Sequence, residues 1–352
     1  MSFHIFTYKQ PFLLECGQRL PGYHLSYTTY GNLNTRRDNV VWIFHALTAN
    51  SDAATWWPGL VGPGKLFDPA IHFIVCVNMP GSCYGSTGPL EKDPATGRAY
   101  HQGFPFFTTR DMIRAYQPLR EYLGIKKIFM GIGGSMGGQQ LLEWAVEEPA
   151  LFSYIVPIAT NAIHSPWGRA FNASQRFCIE TDATWKRGGE LAGTAGMKVA
   201  RGVALLSYRH YSSYDISQQD ADPGLLQQYR SESYQRYQGE KLAKRFNATS
   251  YYKLSQSMDS HNVGRNRGGL VRALQQIRAH AIVIGIRTDI LFPVAEQQFL
   301  ADHIPGARLT LIDSLYGHDG FLLEFAAIES LISSFIREEG ALNCFVGSAD
   351  SV

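Results

Sequence analysis

A glycine-rich segment between an apolar run and a helix pattern constrains the fold of this chain more than any other feature. Residues 133–138 read Gly-Gly-Ser-Met-Gly-Gly, after the apolar run Lys127–Gly131 and at the start of a helix pattern, Met136–Glu148, that Pro149 ends. This is G-x-S-x-G in the context of strand, tight turn and helix. Glycines let the strand and the helix approach closely, and the strained turn makes the serine hydroxyl project from the sheet. The pattern predicts that Ser135 is a nucleophile; the alternative is a purely structural turn.

Six short apolar runs predict buried strands, because they are rich in β-branched or aromatic residues and are bounded by polar residues, Gly or Pro. The runs are Val40–Phe44, Phe73–Val77, Lys127–Gly131, Tyr154–Ile158, Ala281–Ile286 and Leu309–Ile312. Helix patterns lie between some of them, such as the pattern from Met112 to Leu123 that Gly124 follows. Strands that alternate with helices predict an α/β fold with an open, mostly parallel sheet.

The middle of the chain breaks this alternation. From about Ser165 to Gly269 no run predicts a buried strand, and helix patterns such as Leu225–Gln238 and Thr249–Met258 take their place. We therefore predict one α/β domain, built from residues 1–164 and 270–342, with a helical lid inserted at residues 165–269. Residues 343–352 are expected to form a loose tail.

A serine hydroxyl needs a positioned base, and in folds of this kind an acid and then a histidine follow the serine along the chain. Asp289 comes just after the predicted strand Ala281–Ile286, and His318 comes just after Leu309–Ile312. Open α/β sheets place their sites at the carboxyl ends of strands. We therefore predict that Asp289 and His318 complete a catalytic triad with Ser135.

Other residues compete for these two roles. Asp313 is the rival acid, but it lies only five residues before His318 on the same connection. His303 lies in a helical surface pattern, and His280 precedes a strand. We expect the first of these histidines to be solvated and the second to be structural.

Acyl chemistry at a serine also needs N–H donors for the oxyanion that develops on the carbonyl oxygen. One donor is expected from the backbone N–H of Met136, and the other from the loop that follows an early strand. That loop is residues 44–50, directly after Val40–Phe44, and we assign the second donor to the N–H of Leu47.

Charge and motif content exclude several classes of function. Lys plus Arg is 32 and Asp plus Glu is 30, so there is no basic excess of the kind that nucleic-acid binding needs. The short basic stretch Lys241–Arg245 is interpreted as a solvated helix face. The glycine-rich loop Gly81–Pro89 lacks the G-K-[ST] ending of a phosphate loop, and no ligand spacing predicts a metal. No bound cofactor or metal is expected.

Cysteine content and hydropathy bear on the compartment. Five cysteines, an odd number with no C-x-x-C pair, favour a reducing environment. No signal-peptide pattern and no apolar run of about 18 residues is found. We expect a cytoplasmic protein that binds no membrane.

Together, these motifs resemble the homoserine O-acyltransferases of methionine biosynthesis, within the α/β-hydrolase superfamily, from about Leu20 to Phe335. The similar segments are Phe44–Thr48, Asn78–Pro89, Ser135–Gly138 with Glu143–Ala145, Ala200–Arg201 with Leu206–Arg209, Tyr237–Lys241, Met258–Asp259 and Gly317–Phe321.

The resemblance implies an α/β-hydrolase fold and a ping-pong transfer of an acetyl group from acetyl-CoA, a co-substrate, to the hydroxyl of L-homoserine. It further implies that Arg201 holds the carboxylate of the amino-acid substrate, that Tyr208 lines the same pocket and that Asp319 holds the α-amino group. One cation and one anion suit the head of a zwitterion. A homodimer formed through the helical insertion is implied as well.

Three alternatives remain open. In the first, this chain is a homologue that uses succinyl-CoA as the donor or serine as the acceptor. An esterase-like serine hydrolase would use the same triad without needing Arg201 and Asp319. A non-catalytic binding protein on this fold would form no covalent adduct at Ser135.

Overall fold

A computed structural model describes residues 2–340 of the chain, so the predicted tail at residues 343–352 lies outside the described part. Ten strands are found there. They are β1 (Ser2–Tyr8), β2 (Phe12–Leu13), β3 (Arg19–Leu20), β4 (Tyr23–Tyr30), β5 (Val40–Phe44), β6 (Phe73–Val77), β7 (Ile128–Gly134), β8 (Phe152–Ile158), β9 (His280–Ile286) and β10 (Arg308–Ile312).

Helices follow or connect most of these strands. They are α1 (Ala53–Trp56), α2 (Thr109–Tyr122), α3 (Met136–Glu147), α4 (Pro166–Glu180), α5 (Thr194–Tyr208), α6 (Tyr211–Ser217), α7 (Arg230–Ala243), α8 (Ala248–Asp259), α9 (Leu270–Leu274), α10 (Val294–His303) and α11 (Phe325–Glu338). Within residues 2–340, no helix has both the length and the apolar character that crossing a bilayer requires.

Eight of the strands form one sheet in the order β1-β4-β6-β5-β7-β8-β9-β10. Neighbours from β6 to β10 pair in parallel, whereas β4 is antiparallel to both β1 and β6. The predicted α/β fold with a mostly parallel sheet is confirmed. All six predicted strands are present, and β7 runs on to Gly134, next to Ser135.

Strands β1 and β4 were not predicted, because β4 is rich in polar residue types although nearly all of it is buried. Its polar groups have partners inside the protein. The Tyr23 hydroxyl donates a hydrogen bond to the Ala115 carbonyl oxygen at 2.8 Å, and the Ser26 hydroxyl donates to the Tyr84 carbonyl oxygen at 2.8 Å. Such partners offset the cost of burying polar groups, which a pattern of residue types cannot show.

Helices α4 to α8 occupy the segment that was predicted to be a helical insertion, and none of the ten described strands lies in it. The predicted helix Leu225–Gln238 is shifted along the chain, because α7 begins at Arg230 and ends at Ala243. Gln228 has a φ of 65°, which a right-handed helix does not accommodate. The later end follows from Leu242, which is buried in the core.

The sheet is covered on both faces. Along β5, Trp42 and Phe44 pack into one apolar cluster, whereas Val41 and Ile43 pack into the other. This is the alternation that the pleat of a strand imposes, and it explains why the run is apolar throughout. The ring of Trp144 from α3 meets Trp42 edge to face, with ring centroids 5.0 Å apart.

A buried ion-pair network fixes α3, the helix that follows Ser135. The carboxylate of Glu143 is fully buried; its Oε1 accepts hydrogen bonds from Arg110 Nε at 2.6 Å and lies 2.7 Å from Arg267 Nη1. Arg110 belongs to α2, and Arg267 precedes α9, so one carboxylate connects three parts of the chain.

We expect Glu143→Gln to destabilise the protein, because the change leaves two buried or half-buried guanidinium groups without their shared counter-charge. Breaking a buried pair costs about 3–5 kcal/mol of unfolding free energy. Because Arg110 keeps Glu15 and Arg267 keeps Glu147 as partners, we expect the lower end of that range. Urea unfolding followed by circular dichroism measures the change. Glu232→Gln is the control, since Glu232 forms an exposed pair with Arg236 on one face of α7 and should contribute little. Equal effects of the two changes would contradict this account of the network.

Candidate active site

The turn between β7 and α3 places Ser135 at φ 57° and ψ −126°, outside the regions that most residues adopt. Two glycines make the turn possible. A Cβ atom on Gly137 would lie 2.1 Å from the Phe44 carbonyl oxygen, and one on Gly133 would lie 2.6 Å from the carbonyl carbon of Gly137. Only glycine fits at either position, so the sequence pattern and the strained serine have one steric origin.

Hydrogen bonds hold the backbone of Ser135 in this conformation. Its N–H donates to the Ile158 carbonyl oxygen at 3.0 Å, and its carbonyl oxygen accepts from the Thr160 hydroxyl at 2.8 Å. Its own hydroxyl has no hydrogen-bond partner among residues 2–340 and faces a cavity. The backbone is thus fixed while the side chain stays available to a bound molecule.

Asp289 and His318 form a buried pair, as expected of the second and third members of the predicted triad. Nδ1 of His318 donates to Oδ2 of Asp289 at 2.6 Å. The other carboxylate oxygen of Asp289 accepts from the backbone N–H groups of Leu291 and Phe292, at 2.8 and 2.9 Å. These bonds fix the orientation of the imidazole and leave its Nε2 for a second partner.

The charges around His318 change its basicity. Burial lowers the pKa of the imidazole, but the charge of Asp289, the hydrogen bond to it and the charge of Asp319 together outweigh burial, so the pKa is raised above 6.5. A positive charge on the ring is therefore stabilised, which is what a general base needs after it has taken a proton.

The rival residues lie elsewhere. Asp313 is exposed and paired with Arg287. His303 Nδ1 donates to the Phe299 carbonyl oxygen at 2.8 Å, and His280 Nδ1 lies 2.8 Å from Glu339 Oε2. None of the three lines the cavity that holds Ser135.

This cavity, of about 430 Å³, collects most of the predicted site residues. Those that line it are Leu47, Ser135, Arg201, Tyr208, His318 and Asp319. The strands and their following loops supply Leu47, Ser135, His318 and Asp319, whereas α5 of the insertion supplies Arg201 and Tyr208. The geometry brings these residues together; their individual roles remain predictions.

Both predicted oxyanion donors are free to act. Met136 is the first residue of α3, so its N–H has no partner within the helix. The N–H of Leu47 donates to no other residue in the described part of the chain. The loop of Leu47 is held by His45, whose Nε2 accepts from the Met79 N–H at 3.1 Å and whose Nδ1 donates to the Ala46 carbonyl oxygen at 2.9 Å. Burial lowers the pKa of His45 to about 4, so the imidazole that holds this loop is neutral.

Charged groups of both signs face the cavity. Asp319 forms an ion pair with Arg209, with Nε and Oδ2 2.9 Å apart. Burial raises the pKa of Asp319, while Arg209, Arg201 and His318 act in the opposite direction. The Arg201 guanidinium carbon lies 5.5 Å from the centre of the Tyr208 ring, and that ring lies 5.7 Å from the ring of His318.

Three further cations of the cavity wall were not predicted as site residues. Arg209 follows Tyr208 at the end of α5, and its pairing with Asp319 is a tertiary contact that the sequence does not reveal. Lys241 and Arg245 come from the basic stretch that was interpreted as a solvated helix face. Both are exposed, but both also line the cavity, so that interpretation was incomplete. Their spacing of four residues, which places them on one side of a helix, was the available clue.

Nothing in the described part of the chain forms a cluster of three or more His, Cys, Asp or Glu side chains that could hold a metal ion. The groups present at the site are a hydroxyl, an imidazole–carboxylate pair, two backbone N–H groups and several charged side chains. Such a set can form a covalent ester on Ser135 and transfer its acyl group.

Known proteins share the fold and much of the sequence of this chain. A family model described as "alpha/beta hydrolase fold" matches residues 39–325. The chain is 44% identical over 338 residues to a homoserine O-acetyltransferase of Cyclobacterium marinum, covering 96% of each chain. It is 42% identical to a homoserine O-acetyltransferase of Trichormus variabilis, covering 95% of this chain and 94% of the relative.

A solved structure shares the fold over almost the whole length. The crystal structure of homoserine O-acetyltransferase from Bacillus anthracis superposes with a TM-score of 0.89 at 24% identity, covering 95% of this chain and 97% of the other. With the sequence relationships above, these findings establish that this chain belongs to the homoserine O-acetyltransferase family of enzymes with the α/β-hydrolase fold.

Proposed function

We propose that this enzyme transfers an acetyl group from acetyl-CoA to the hydroxyl of L-homoserine, as a step of methionine biosynthesis, through an acyl-enzyme on Ser135. The observation that carries the proposal is one cavity that joins Ser135 and the His318–Asp289 pair to Arg201 and Asp319. The first group of residues serves acyl transfer in general. The second offers one cation and one anion for the head of an amino acid.

In the first half-reaction, Nε2 of His318 takes the hydroxyl proton of Ser135 as the serine oxygen bonds to the thioester carbon. The N–H groups of Leu47 and Met136 donate hydrogen bonds to the oxyanion, each worth about 3–4 kcal/mol of the barrier. When the carbon–sulfur bond breaks, the thiolate of CoA takes the proton from His318. Asp289 stabilises the imidazolium between the two transfers.

The second half-reaction runs through the same groups. His318 takes the proton of the acceptor hydroxyl, the acceptor oxygen bonds to the acyl carbon, and the bond to Ser135 breaks as His318 returns the proton to the serine. Water competes with the acceptor at this stage, and residues of α5 and α7 cover part of the cavity from which it must be excluded. Free CoA and the O-acetylated amino acid are the products.

Acceptor selection is assigned to the charged groups beside Ser135. Arg201 forms no ion pair among residues 2–340, so its guanidinium is open to a carboxylate. Asp319 already has Arg209 as a partner on Oδ2, so the substrate ammonium shares this carboxylate instead of meeting it alone. Arg209 thus holds Asp319 in place, and the acceptor ammonium binds at the remaining oxygen.

We also propose a homodimer formed through the helical insertion. Several large apolar side chains of this segment are more than half exposed, which is the surface that a subunit contact would cover. They are Leu191, Val199, Leu206, Tyr211, Ile216 and Leu226. The cytoplasmic location stays a prediction.

Ser135→Ala should abolish acetyl transfer, because the proposed acyl ester forms on the hydroxyl that this change removes. We expect a loss of at least about 10³-fold in kcat, followed as homoserine-dependent CoA release. The melting temperature should stay close to that of the parent, since the hydroxyl has no hydrogen-bond partner among residues 2–340. Ser174→Ala, which removes an exposed hydroxyl from α4, is the control for the same chemical change. Normal turnover by Ser135→Ala would defeat the mechanism.

The acylation step should lose rate as the pH falls through the raised pKa of His318, because only the neutral imidazole can take the proton of Ser135. The midpoint of this acidic limb is expected above pH 6.5. Single-turnover CoA release without an acceptor measures it and leaves acceptor binding aside. In Asp289→Asn the midpoint should move to lower pH, since the main cause of the raised pKa is gone. A wild-type midpoint at or below 6.5, or one that Asp289→Asn does not move, would contradict this assignment.

A further inference from the structure

The cavity wall carries more positive charge than the reaction at Ser135 requires. Four cations line it, Arg201, Arg209, Lys241 and Arg245, against the single carboxylate of Asp319. Arg209 and Asp319 neutralise each other. Arg201 matches the one carboxylate of an amino-acid acceptor, so Lys241 and Arg245 are left without an assigned counter-charge.

Lys241 and Arg245 are solvent-exposed residues of the cavity wall. Lys241 lies in the last turn of α7 and Arg245 two residues beyond its end, with the buried side chain of Leu242 anchoring the segment. Both cations are exposed, whereas Arg201 is half-buried. Among residues 2–340, neither Lys241 nor Arg245 forms an ion pair. A ligand that enters the cavity from solvent therefore passes two uncompensated positive charges.

Neutral partners hold Arg245 in place. Its Nη1 donates to the Tyr84 hydroxyl at 2.6 Å and to the backbone carbonyl oxygen of Thr48. Thr48 follows Leu47, the predicted oxyanion donor, so the guanidinium is fixed beside the catalytic loop. Because both partners are uncharged, they orient the guanidinium without cancelling its charge. The remaining donors of its planar fork suit a phosphate group.

We infer that Lys241 and Arg245 form the phosphate-binding edge of the donor entrance and hold the phosphate groups of an acyl-CoA while its thioester reaches Ser135. This inference rests on the proposed function, which makes a CoA thioester the donor. In this arrangement the acyl group and part of the pantetheine arm would occupy the cavity of about 430 Å³, and the phosphorylated nucleotide would lie at the exposed cations of its wall. A thioester without phosphates would gain nothing from this edge.

Lys241→Gln provides the sharpest test, because Lys241 makes no hydrogen bond to the catalytic loop. We expect the variant to raise the KM for acetyl-CoA about tenfold with kcat unchanged, the value of one hydrogen bond to a charged group. The KM for S-acetyl-N-acetylcysteamine, a thioester that lacks phosphates, should not change. Added salt should reduce the difference in the KM for acetyl-CoA between Lys241→Gln and the parent, because salt screens exposed charges.

Lys244→Gln is the matched control. It removes the same charge from the same end of α7, but Lys244 does not line the cavity. Arg245→Gln should raise the KM for acetyl-CoA as well. This change also removes the hydrogen bond to the Thr48 carbonyl oxygen, so kcat should fall with both donors. The readout is therefore the ratio of the KM for acetyl-CoA to the KM for S-acetyl-N-acetylcysteamine.

Calorimetric titration with free CoA gives a second measurement that does not need turnover. Lys241→Gln should weaken CoA binding about tenfold, and Lys244→Gln should leave it unchanged. Equal CoA affinity of Lys241→Gln and the parent, or equal changes in KM for both donors, would overturn the inference while leaving the proposed transferase intact. Failure of the parent to acetylate homoserine with either donor would instead overturn the proposed function.

Discussion

Steric contact at the turn after β7 is the constraint on which the site depends. Ser135 keeps a positive φ because β7 and α3 pass so close together that Gly133 and Gly137 have no room for a Cβ atom. The same closeness places the first N–H of α3 beside the serine and opposite the loop after β5. The proposed nucleophile and the proposed oxyanion donors thus share one backbone arrangement, and the strained residue is the one to which we assign the covalent chemistry.

The sheet and the insertion supply different residues of the site. Loops at the carboxyl ends of parallel strands supply the hydroxyl, the carboxylate and the imidazole, in keeping with the general placement of sites in open α/β sheets. The insertion supplies Arg201, Tyr208, Lys241 and Arg245. The groups that we propose to form and break bonds therefore lie on the core, whereas the groups that we propose to bind the acceptor come from both parts, Arg201 from the insertion and Asp319 from the core.

Much of this arrangement could be predicted because it is encoded locally. A strand buried on both faces is apolar throughout, and a strained turn needs glycine at fixed offsets from Ser135, so both leave marks in a few consecutive residues. Strand β4 was missed because its burial depends on hydrogen bonds to residues that are distant in the sequence, such as Ala115. The Arg209–Asp319 pair and the cavity-facing side of Lys241 were missed for the same reason: tertiary packing determines them.

Intact-mass analysis of the enzyme tests the central claim most directly. The enzyme is mixed with acetyl-CoA or with succinyl-CoA, and L-homoserine, L-serine or buffer is then added. The account predicts one acetyl group per chain, located on Ser135 by peptide mapping, that persists in buffer and is discharged by homoserine. Absence of an adduct with either donor, or discharge by water as fast as by homoserine, would contradict it. If serine discharges the adduct, or if only succinyl-CoA forms one, the acyl-enzyme mechanism stands and the assignment of the acceptor or the donor changes.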